Sequence, residues 1–228
     1  MNWHGVGLLA VVLTISILPI ATYAIARSDE SRTEAAALAH GARLVNKGRL
    51  EDGIVACVAC HRDSGKGDAG SAFGNLTGLS KAYLAKQLHD YQTGKRENRV
   101  MQVIAKNLTK RDIDALATYY ARLKFAHDLS NIPEAPPEGV RLAESGDVER
   151  GLVACVTCHG KDGRAADDRV PNIFGQHPLY ITNQLTAWQS GQRKNDPDSI
   201  MAEIAKKLTP LEISAVAIYF ARRSRSEN

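Results

Sequence analysis

Cys57-Val58-Ala59-Cys60-His61 is a motif that the chain repeats, 98 residues later, as Cys155-Val156-Thr157-Cys158-His159. The two copies together contain all four cysteines of the protein. Two thiols three positions apart on a helical turn can each bond to one vinyl group of a haem, and the imidazole that follows can then bind the iron. Cys-x-x-Cys-His is the attachment pattern of a c-type haem. The two copies therefore predict two covalently attached haem c groups.

Zinc sites and redox-active dithiols are the alternative interpretations of this cysteine spacing. A four-cysteine zinc ribbon has roughly 15–20 residues between its two pairs, far fewer than lie between Cys60 and Cys155. A thioredoxin-like dithiol does not need a histidine directly after its second cysteine, and here that histidine occurs twice. We therefore favour haem attachment over both alternatives.

Two methionines follow the motifs at nearly equal distances. Met101 lies 40 residues after His61 and Met201 lies 42 residues after His159, while the third methionine is the initiator. A haem that only carries electrons needs a second axial ligand, and methionine in that place raises the reduction potential. We predict that His61 and Met101 ligate one iron and that His159 and Met201 ligate the other.

The remaining histidines are the competing ligands, and none fits as well. Three of them have no counterpart in the other half of the chain: His89, His127 and His177. Two others, His4 and His40, precede the first motif. We therefore expect these five side chains to lie outside the coordination of iron.

The similarity of the two halves extends well beyond the motifs, which indicates an internal duplication. Residues 48–57 align with 146–155, and residues 75–78 align with 172–175. Further matched pairs are Tyr83 and Tyr180, Gln87 and Gln184, Leu88 and Leu185, Gly94 and Gly191, Arg96 and Arg193, Thr109 and Thr209, and Tyr119 and Tyr219. Each half is a unit of about 90–100 residues, which is enough for a core of its own once a haem is added.

A proline-rich stretch separates the halves. Residues 133–137 contain three prolines, which cannot continue a helix and which favour extended backbone. We predict an N-terminal segment over residues 1–32, a first haem domain over 33–130, a linker over 131–139 and a second haem domain over 140–228.

The periodicity of apolar residues predicts an all-α fold. Leu84, Leu88 and Tyr91 recur at helical spacing, and their counterparts Ile181, Leu185 and Trp188 do the same. The last helix of each half begins at a capping box, which residues 109–112 and 209–212 supply. Its apolar face is formed by Ile113, Leu116, Ala117 and Tyr120 in the first half and by Ile213, Val216, Ala217 and Phe220 in the second. No stretch has the alternation expected of a strand.

Over residues 41–223 the chain resembles the tandem class I cytochromes c, most closely the dihaem cytochrome c4 type. The two motifs, the segment Pro171-Asn172-Ile173-Phe174-Gly175-Gln176 and Met201 carry the resemblance. It implies one all-helical domain around each haem, histidine and methionine ligation, and electron transfer outside the cytoplasm. It also implies that the Pro171 carbonyl accepts a hydrogen bond from the imidazole of its half, with Gly74 in that place in the first half.

The N-terminal segment contains an uncharged run of 21 residues, Val6 to Ala26. This run is long enough to cross a hydrocarbon layer of about 30 Å. A cleaved signal peptide is the alternative, with Ala24-Ile25-Ala26 as its cleavage site, but residues 1–5 lack the Lys or Arg that usually opens such a peptide. We favour a retained membrane anchor. Either interpretation places the haem domains on the periplasmic side of the inner membrane.

The charge of the chain is unevenly distributed and gives no support to a nucleic-acid-binding role. Residues 27–131 contain 17 Lys and Arg against 12 Asp and Glu, and residues 132–228 contain 12 against 13. No basic helix or aromatic-basic motif stands out. A charge difference between the halves could direct each half to a different redox partner.

These features predict a non-enzymatic electron carrier of the respiratory chain. It would take electrons from a quinol:cytochrome c reductase and pass them to a haem-copper oxidase or a reductase. The alternative is the cytochrome subunit of a periplasmic dehydrogenase complex. A dihaem peroxidase needs an open iron position, which a methionine ligand in each half disfavours.

Overall fold

The computed structural model describes the backbone of residues 18–126, 132–161, 165 and 167–223, with side chains at residue 27 and from residue 29 onward. Residues 1–35 and residues 36–228 form two compact units. The predicted N-terminal anchor falls mainly on residues outside the described range. No helix in the described part of the chain is both long enough and apolar enough to cross a membrane.

Helices make up nearly all of the regular structure. The first half contains α1 (Leu18–Lys47), α2 (Val58–His61), α3 (Lys81–Gln92), α4 (Arg99–Lys106) and α5 (Lys110–Ala121). The second half contains α6 (Pro137–Glu144), α7 (Val156–His159), α8 (Pro178–Gln189), α9 (Ile200–Lys206) and α10 (Pro210–Arg222). Short 3-10 helices cover Leu50–Asp52 and Pro197–Ser199. The described residues contain isolated β-bridges but no strand, which confirms the prediction of a helical fold.

The same packing scheme occurs in both halves. Helix α3 packs on α4 and α5, and α8 packs on α9 and α10 in the same way. Each half has its own cluster of buried apolar side chains, one within residues 44–120 and the other within residues 142–220. The duplication seen in the sequence is therefore also a duplication of helix packing.

Both predicted capping boxes are present. The Thr109 amide donates to Asp112 Oδ2 over 2.9 Å, and the Thr209 amide donates to Glu212 Oε2 over 2.8 Å. In each case the threonine hydroxyl accepts from the backbone N–H of the acidic residue. These reciprocal bonds satisfy donors that the first turn of a helix leaves free, so α5 and α10 begin where the sequence predicts.

Each capping carboxylate also binds an arginine from the turn before the haem motif. Arg150 Nη2 donates to Glu212 Oε1 over 2.6 Å, and Arg49 Nη2 donates to Asp112 Oδ2 over 2.9 Å. The bond from Arg150 lowers the pKa of Glu212 to about 2. Burial raises the pKa of Asp112, but hydrogen bonds from Arg49 and Thr109 outweigh burial and keep that pKa well below its usual range. The carboxylates therefore join the last helix of each half to the chain that leads into the motif.

The first and last helices of each half cross at a glycine. A Cβ atom on Gly41 would lie 2.4 Å from the Ala115 carbonyl oxygen, and a Cβ atom on Gly139 would lie 2.3 Å from the Ala215 carbonyl oxygen. Real Cβ atoms do not approach a backbone oxygen so closely. Only glycine lets these helices pack at this distance.

We predict that Gly139→Ala destabilises the protein by about 1–3 kcal/mol, because the added methyl group overpacks the contact with α10. The helix preference for alanine opposes this loss by about 1 kcal/mol. Denaturant unfolding of the haem-loaded protein measures the difference.

Gly70→Ala is the matched control for this substitution. A Cβ atom on Gly70 meets only Asp68 Oδ1, at 3.6 Å, so the variant should unfold close to the wild type. Equal stability of the Gly139 and Gly70 variants would contradict the role of the crossing.

Candidate haem sites

The structure brings the predicted ligands of each half into one cavity. The first cavity, of about 300 Å³, is lined by Cys57, Cys60, His61 and Met101. The second, of about 320 Å³, is lined by Cys155, Cys158, His159 and Met201. Both volumes lie at the lower end of the range for small-molecule pockets, about 300–1,000 Å³.

Each cysteine motif forms a single helical turn at its cavity. Cys57 and Cys155 are the N-caps of α2 and α7, and the two histidines are the last residues of these helices. The first cysteine of each motif points back toward the preceding helix, with its Sγ 3.9 Å from the Leu44 carbonyl oxygen in the first half. The corresponding distance from Cys155 to the Leu142 carbonyl oxygen is 3.8 Å. Both cysteines and the histidine of each motif line the cavity of their own half. The turn thus presents two sulfurs and one imidazole to the same cavity.

A backbone carbonyl fixes the tautomer of each imidazole. Nδ1 of His61 lies 2.9 Å from the Gly74 oxygen, and Nδ1 of His159 lies 2.8 Å from the Pro171 oxygen. A carbonyl oxygen can only accept, so Nδ1 carries the proton and Nε2 keeps its lone pair. Burial lowers the pKa of both histidines, which favours the neutral form. The hydrogen bonds that the family resemblance implied are confirmed in both halves.

The second half packs against the glycine that replaces proline in the first half. A Cβ atom on Gly74 would lie 2.7 Å from Cε2 of Tyr180. A side chain at position 74 would therefore displace the Tyr180 ring. The Gly74 carbonyl still accepts a hydrogen bond from His61 Nδ1, so this bond does not require a proline at position 74.

Cys57 and Cys155 do not have the character of reactive thiols. Burial raises the pKa of Cys57 and of Cys155 to about 11, whereas reactive thiols have a lowered pKa. Within the described ranges, no group of three or more His, Cys, Asp or Glu residues could hold a metal ion. The zinc and dithiol interpretations therefore find no support in the cavities.

The two methionines lie on short helices that are held at both ends. The Asn98 side chain accepts from the Met101 N–H over 2.9 Å at the start of α4. At the start of α9 the Asp196 side chain accepts from the Ala202 N–H over 3.0 Å. Both methionines are half-buried and line the same cavities as the histidines. Each cavity thus has a thioether sulfur in addition to an imidazole.

A glutamine at the end of α3 or α8 holds the chain that leaves each methionine helix. Gln92 Nε2 donates to the carbonyls of Ala105 and Leu108 over 2.9 and 2.7 Å. Gln189 Nε2 donates to the corresponding carbonyls of Ala205 and Leu208, each over 2.8 Å. These glutamines are not among the residues predicted for the site. Gln92 follows Tyr83 at the same distance in sequence as Gln189 follows Tyr180. This repeat could have identified the two glutamines as a matched pair.

Two buried arginines join the halves. Arg96 Nη2 donates to the Tyr180 hydroxyl over 2.8 Å, and Arg193 Nη2 donates to the Tyr83 hydroxyl over 3.1 Å. Each arginine therefore binds the tyrosine of the opposite half. Both also donate to Gln87 Oε1, over 2.9 and 3.1 Å. Alignment of the halves identified Arg96 with Arg193, and Tyr83 with Tyr180, as matched pairs. That each arginine binds the tyrosine of the opposite half is seen only in the structure.

The backbone continues this pairing of the halves. The Glu97 N–H donates to the Gln192 carbonyl over 2.9 Å, and the Lys194 N–H donates to the Lys95 carbonyl over 2.8 Å. Three side chains, Tyr83, Gln87 and Gln184, line both cavities. The two cavities therefore share one wall.

The three competing histidines that the structure describes line neither cavity. His40 Nε2 is 2.7 Å from Asp112 Oδ1, and His177 Nε2 donates to the Lys66 carbonyl over 2.7 Å. His89 lies on α3 and, like His40 and His177, lines neither cavity. His4 and His127 lie outside the described residues.

The geometry fits a haem in each half. Each cavity is lined mainly by apolar side chains and contains two sulfurs, an imidazole with a free Nε2 lone pair and a methionine. Arg96 and Arg193 each line one cavity. They are 4 and 5 % exposed, and among the described residues no carboxylate forms an ion pair with either. Buried charges are normally paired, so these guanidinium groups suit the negative propionates of a haem.

Comparison with known proteins agrees with this geometry. The cytochrome c family profile matches residues 38–124. Cytochrome c4 of Azotobacter vinelandii is 39% identical over 193 residues, which cover 80% of this chain and 90% of that protein. The chain belongs to the cytochrome c4 family of dihaem cytochromes c. Haem c is therefore the cofactor of this protein. The protein is a carrier of electrons rather than an enzyme.

A second group of relatives of this cytochrome has a more specific name. The "thiosulfate dehydrogenase electron acceptor" of Thiomonas intermedia is 38% identical over 172 residues, 75% of this chain and 79% of that protein. The homologous protein of Stutzerimonas stutzeri, with the same name, is 36% identical over 192 residues, 83% of this chain and 88% of that protein.

A solved thiosulfate dehydrogenase and a solved cytochrome c4 both resemble this cytochrome. Thiosulfate dehydrogenase (TsdBA) from Marichromatium purpuratum superimposes with a TM-score of 0.76 at 39% identity, over 82% of this chain and 40% of that longer chain. Reduced cytochrome c4 from Pseudomonas stutzeri superimposes with a TM-score of 0.70 at 28% identity, over 82% of this chain and 98% of that one.

Proposed function

We propose that this cytochrome accepts electrons from a periplasmic dehydrogenase of the thiosulfate-oxidising kind and passes them to a terminal oxidase or reductase. The observation that carries the proposal is the pair of cavities with one common wall. Each cavity has the residues to hold a haem.

The residues of each cavity have distinct roles in this proposal. Cys57 and Cys60 would hold the first haem, and Cys155 and Cys158 would hold the second. His61 and Met101 would bind the first iron, and His159 and Met201 would bind the second. The haems supply the one-electron chemistry. The protein keeps the ligands in place through the Nδ1 hydrogen bonds and the held methionine helices, so little reorganisation accompanies a change of charge.

The shared wall supports electron exchange between the halves. Tyr83, Gln87 and Gln184 line both cavities, so no third layer of protein separates the two sites. Hydrogen bonds between arginine and tyrosine side chains of opposite halves also cross this wall. We infer that this wall would allow an electron to pass between the two halves of one molecule.

Each cavity has an exposed apolar rim where a partner can dock. Val55 and Val100 line the first cavity and are 42 and 52 % exposed. Val153 and Ile200 line the second and are 57 and 52 % exposed. Two rims on one molecule allow the electron donor and the electron acceptor to bind at different halves.

The names of two relatives support the choice of electron donor in this proposal. Two of them are named thiosulfate dehydrogenase electron acceptors, and this chain resembles part of a solved thiosulfate dehydrogenase more than it resembles solved cytochrome c4. The second candidate function is that of a shuttle from a quinol:cytochrome c reductase to a haem-copper oxidase. The cytochrome c4 of Azotobacter vinelandii, at 39% identity, favours this candidate.

We predict that the oxidised cytochrome is reduced rapidly by a purified thiosulfate dehydrogenase supplied with thiosulfate. Stopped-flow absorbance of the haem band measures the rate. Thiosulfate alone and dehydrogenase alone are the controls and should give no reduction on the same time scale.

A quinol:cytochrome c reductase with a reduced quinone is the competing donor in the same assay. Reduction by that complex, with none by the dehydrogenase, would contradict the preferred donor and select the second candidate. Failure of both donors to reduce a protein that contains two haems would contradict both functions.

We predict that Met201→Ala lowers the potential of one haem only, because methionine ligation raises the potential. The near-infrared band of sulfur-to-iron charge transfer should lose about half its intensity, since one of two thioether ligands is removed. Carbon monoxide should then bind to one of the two irons.

Ile204→Ala is the matched control for this variant. Ile204 lies on the same helix and lines the same cavity, but it has no sulfur. This variant should retain the full near-infrared band. An unchanged band in the Met201 variant would show that another residue ligates the second iron.

The haem domains act on the periplasmic side of the inner membrane in this proposal. Residues 6–26 deliver them there, either as a retained anchor or as a signal peptide. An anchor would keep the cytochrome at a high effective concentration next to its membrane partners. We retain the anchor as the prediction from sequence, because residues 1–5 contain no Lys or Arg.

Sequencing of the mature amino terminus tests this prediction. A start at Met1 or Asn2, with release of the protein only by detergent, is the expected result. A start at Ile25 or Arg27, with the haem protein in the soluble periplasmic fraction, would identify a signal peptide instead.

A further inference from the structure

One residue in the wall of the first cavity carries a hydroxyl group that its counterpart lacks. Tyr120 on α5 lines the first cavity, and Phe220, at the same place on α10, lines the second. They are 5 and 2 % exposed. Each ring packs edge-on against the preceding tyrosine, with centroids 5.4 Å apart in the first half and 5.0 Å apart in the second. The two rings therefore share a position and a tyrosine neighbour, although Phe220 also packs on Phe174, with ring centroids 5.6 Å apart.

That oxygen atom is buried and unsatisfied. The Tyr120 hydroxyl has no hydrogen-bond partner among the described residues. A buried polar group without a partner costs about 1–3 kcal/mol. Phenylalanine serves the same packing role at position 220, so packing alone does not require the hydroxyl. A partner within the cavity would remove the cost.

The sulfur of Cys57 lies beside this hydroxyl. Both groups line the first cavity. Burial raises the pKa of the Cys57 thiol to about 11, and the contact with Tyr120 acts in the opposite direction. In the free thiol form the two groups do not form a hydrogen bond. Cys155 in the second half meets no such hydroxyl, because Phe220 replaces the tyrosine.

Attachment of a haem decides which group is the donor. The free thiol can donate or accept, but a thioether sulfur has no proton and can only accept weakly. The hydroxyl of Tyr120 is then the only donor of the pair. We propose that Tyr120 donates a hydrogen bond to the thioether sulfur of Cys57 and thereby raises the reduction potential of the first haem. This inference rests on the haem attachment at Cys57 in the proposed function.

The sign of the effect follows from the direction of the bond. The donated proton is the positive end of the hydroxyl dipole, and it points toward a group that gains negative charge on reduction. Hydrogen bonds of this kind around a metal centre tune its potential, and their effect is larger in a buried site of low dielectric. Tyr120 is thus a tuning residue that acts through the sulfur and does not touch the iron.

Tyr120→Phe tests the proposal with the ring that the second half already uses. We expect one of the two reduction potentials to fall, by about two- to tenfold in the one-electron equilibrium constant, or about 20–60 mV at 59 mV per tenfold. The other potential should not move. Phe220→Tyr should raise the potential that Tyr120→Phe leaves unchanged. Spectroelectrochemical titration of the full dihaem protein measures both.

Tyr119→Phe is the matched control, because Tyr119 neighbours Tyr120 on α5 but does not line the cavity. Neither potential should shift in this variant. Unchanged potentials in Tyr120→Phe, a rise in place of a fall, or an equal shift in the control would overturn the proposal.

A measurement on the unmodified protein gives an independent test. The carbon–sulfur stretching bands in the resonance Raman spectrum should show a shift between H₂O and D₂O for one thioether, and Tyr120→Phe should abolish it. The absence of a shift in the wild type would overturn the hydrogen bond itself.

Mass spectrometry distinguishes a failure of the proposed function from a failure of the role of Tyr120. Fewer than two bound haems in the wild type would contradict the proposed function. Two bound haems with unmoved potentials would contradict only the role of Tyr120.

Discussion

The hydrogen bond from each motif imidazole to a loop carbonyl is the constraint on which the rest of the site depends. It fixes the proton on Nδ1 of His61 and His159, so that Nε2 is the nitrogen able to bind a metal. The motif turn alone cannot do this, because a four-residue helix has no partner for the far side of the ring. The loops that end in Gly74 and Pro171 must therefore be held in place, and the packing of helices around each cavity serves that requirement.

The two halves hold these loops partly for one another. Tyr180 of the second half packs on Gly74 of the first, and its hydroxyl accepts from Arg96. Gln176 of the second half exchanges hydrogen bonds with the backbone of Asn75, over 2.8 and 2.9 Å. The loop beside His61 is thus held by residues of both halves.

Local sequence patterns were sufficient to predict α3, α5, α8 and α10 and the haem chemistry, because these follow from short-range rules. Capping boxes at residues 109 and 209 depend on residues three positions apart, and the attachment motif depends on five consecutive residues. The glycine crossings at Gly41 and Gly139 and the exchange of partners by Arg96 and Arg193 were not predictable in this way. These contacts join residues that are distant in sequence, and neither hydrophobic periodicity nor the alignment of the halves reports which residues meet.

Duplication followed by divergence explains why the two sites share a plan and differ in detail. The parts that fix geometry are kept as pairs, including the glycine crossings and the glutamines at the ends of α3 and α8. The parts that differ lie at the contact between the halves or in the wall of a cavity, as with Gly74 against Pro171 and Tyr120 against Phe220. A single polar atom in one wall changes the electrostatics of that site without changing its shape. Two haems in a common scaffold can therefore acquire different potentials at little cost to the fold, and a difference in potential gives a carrier with one entry and one exit a preferred direction.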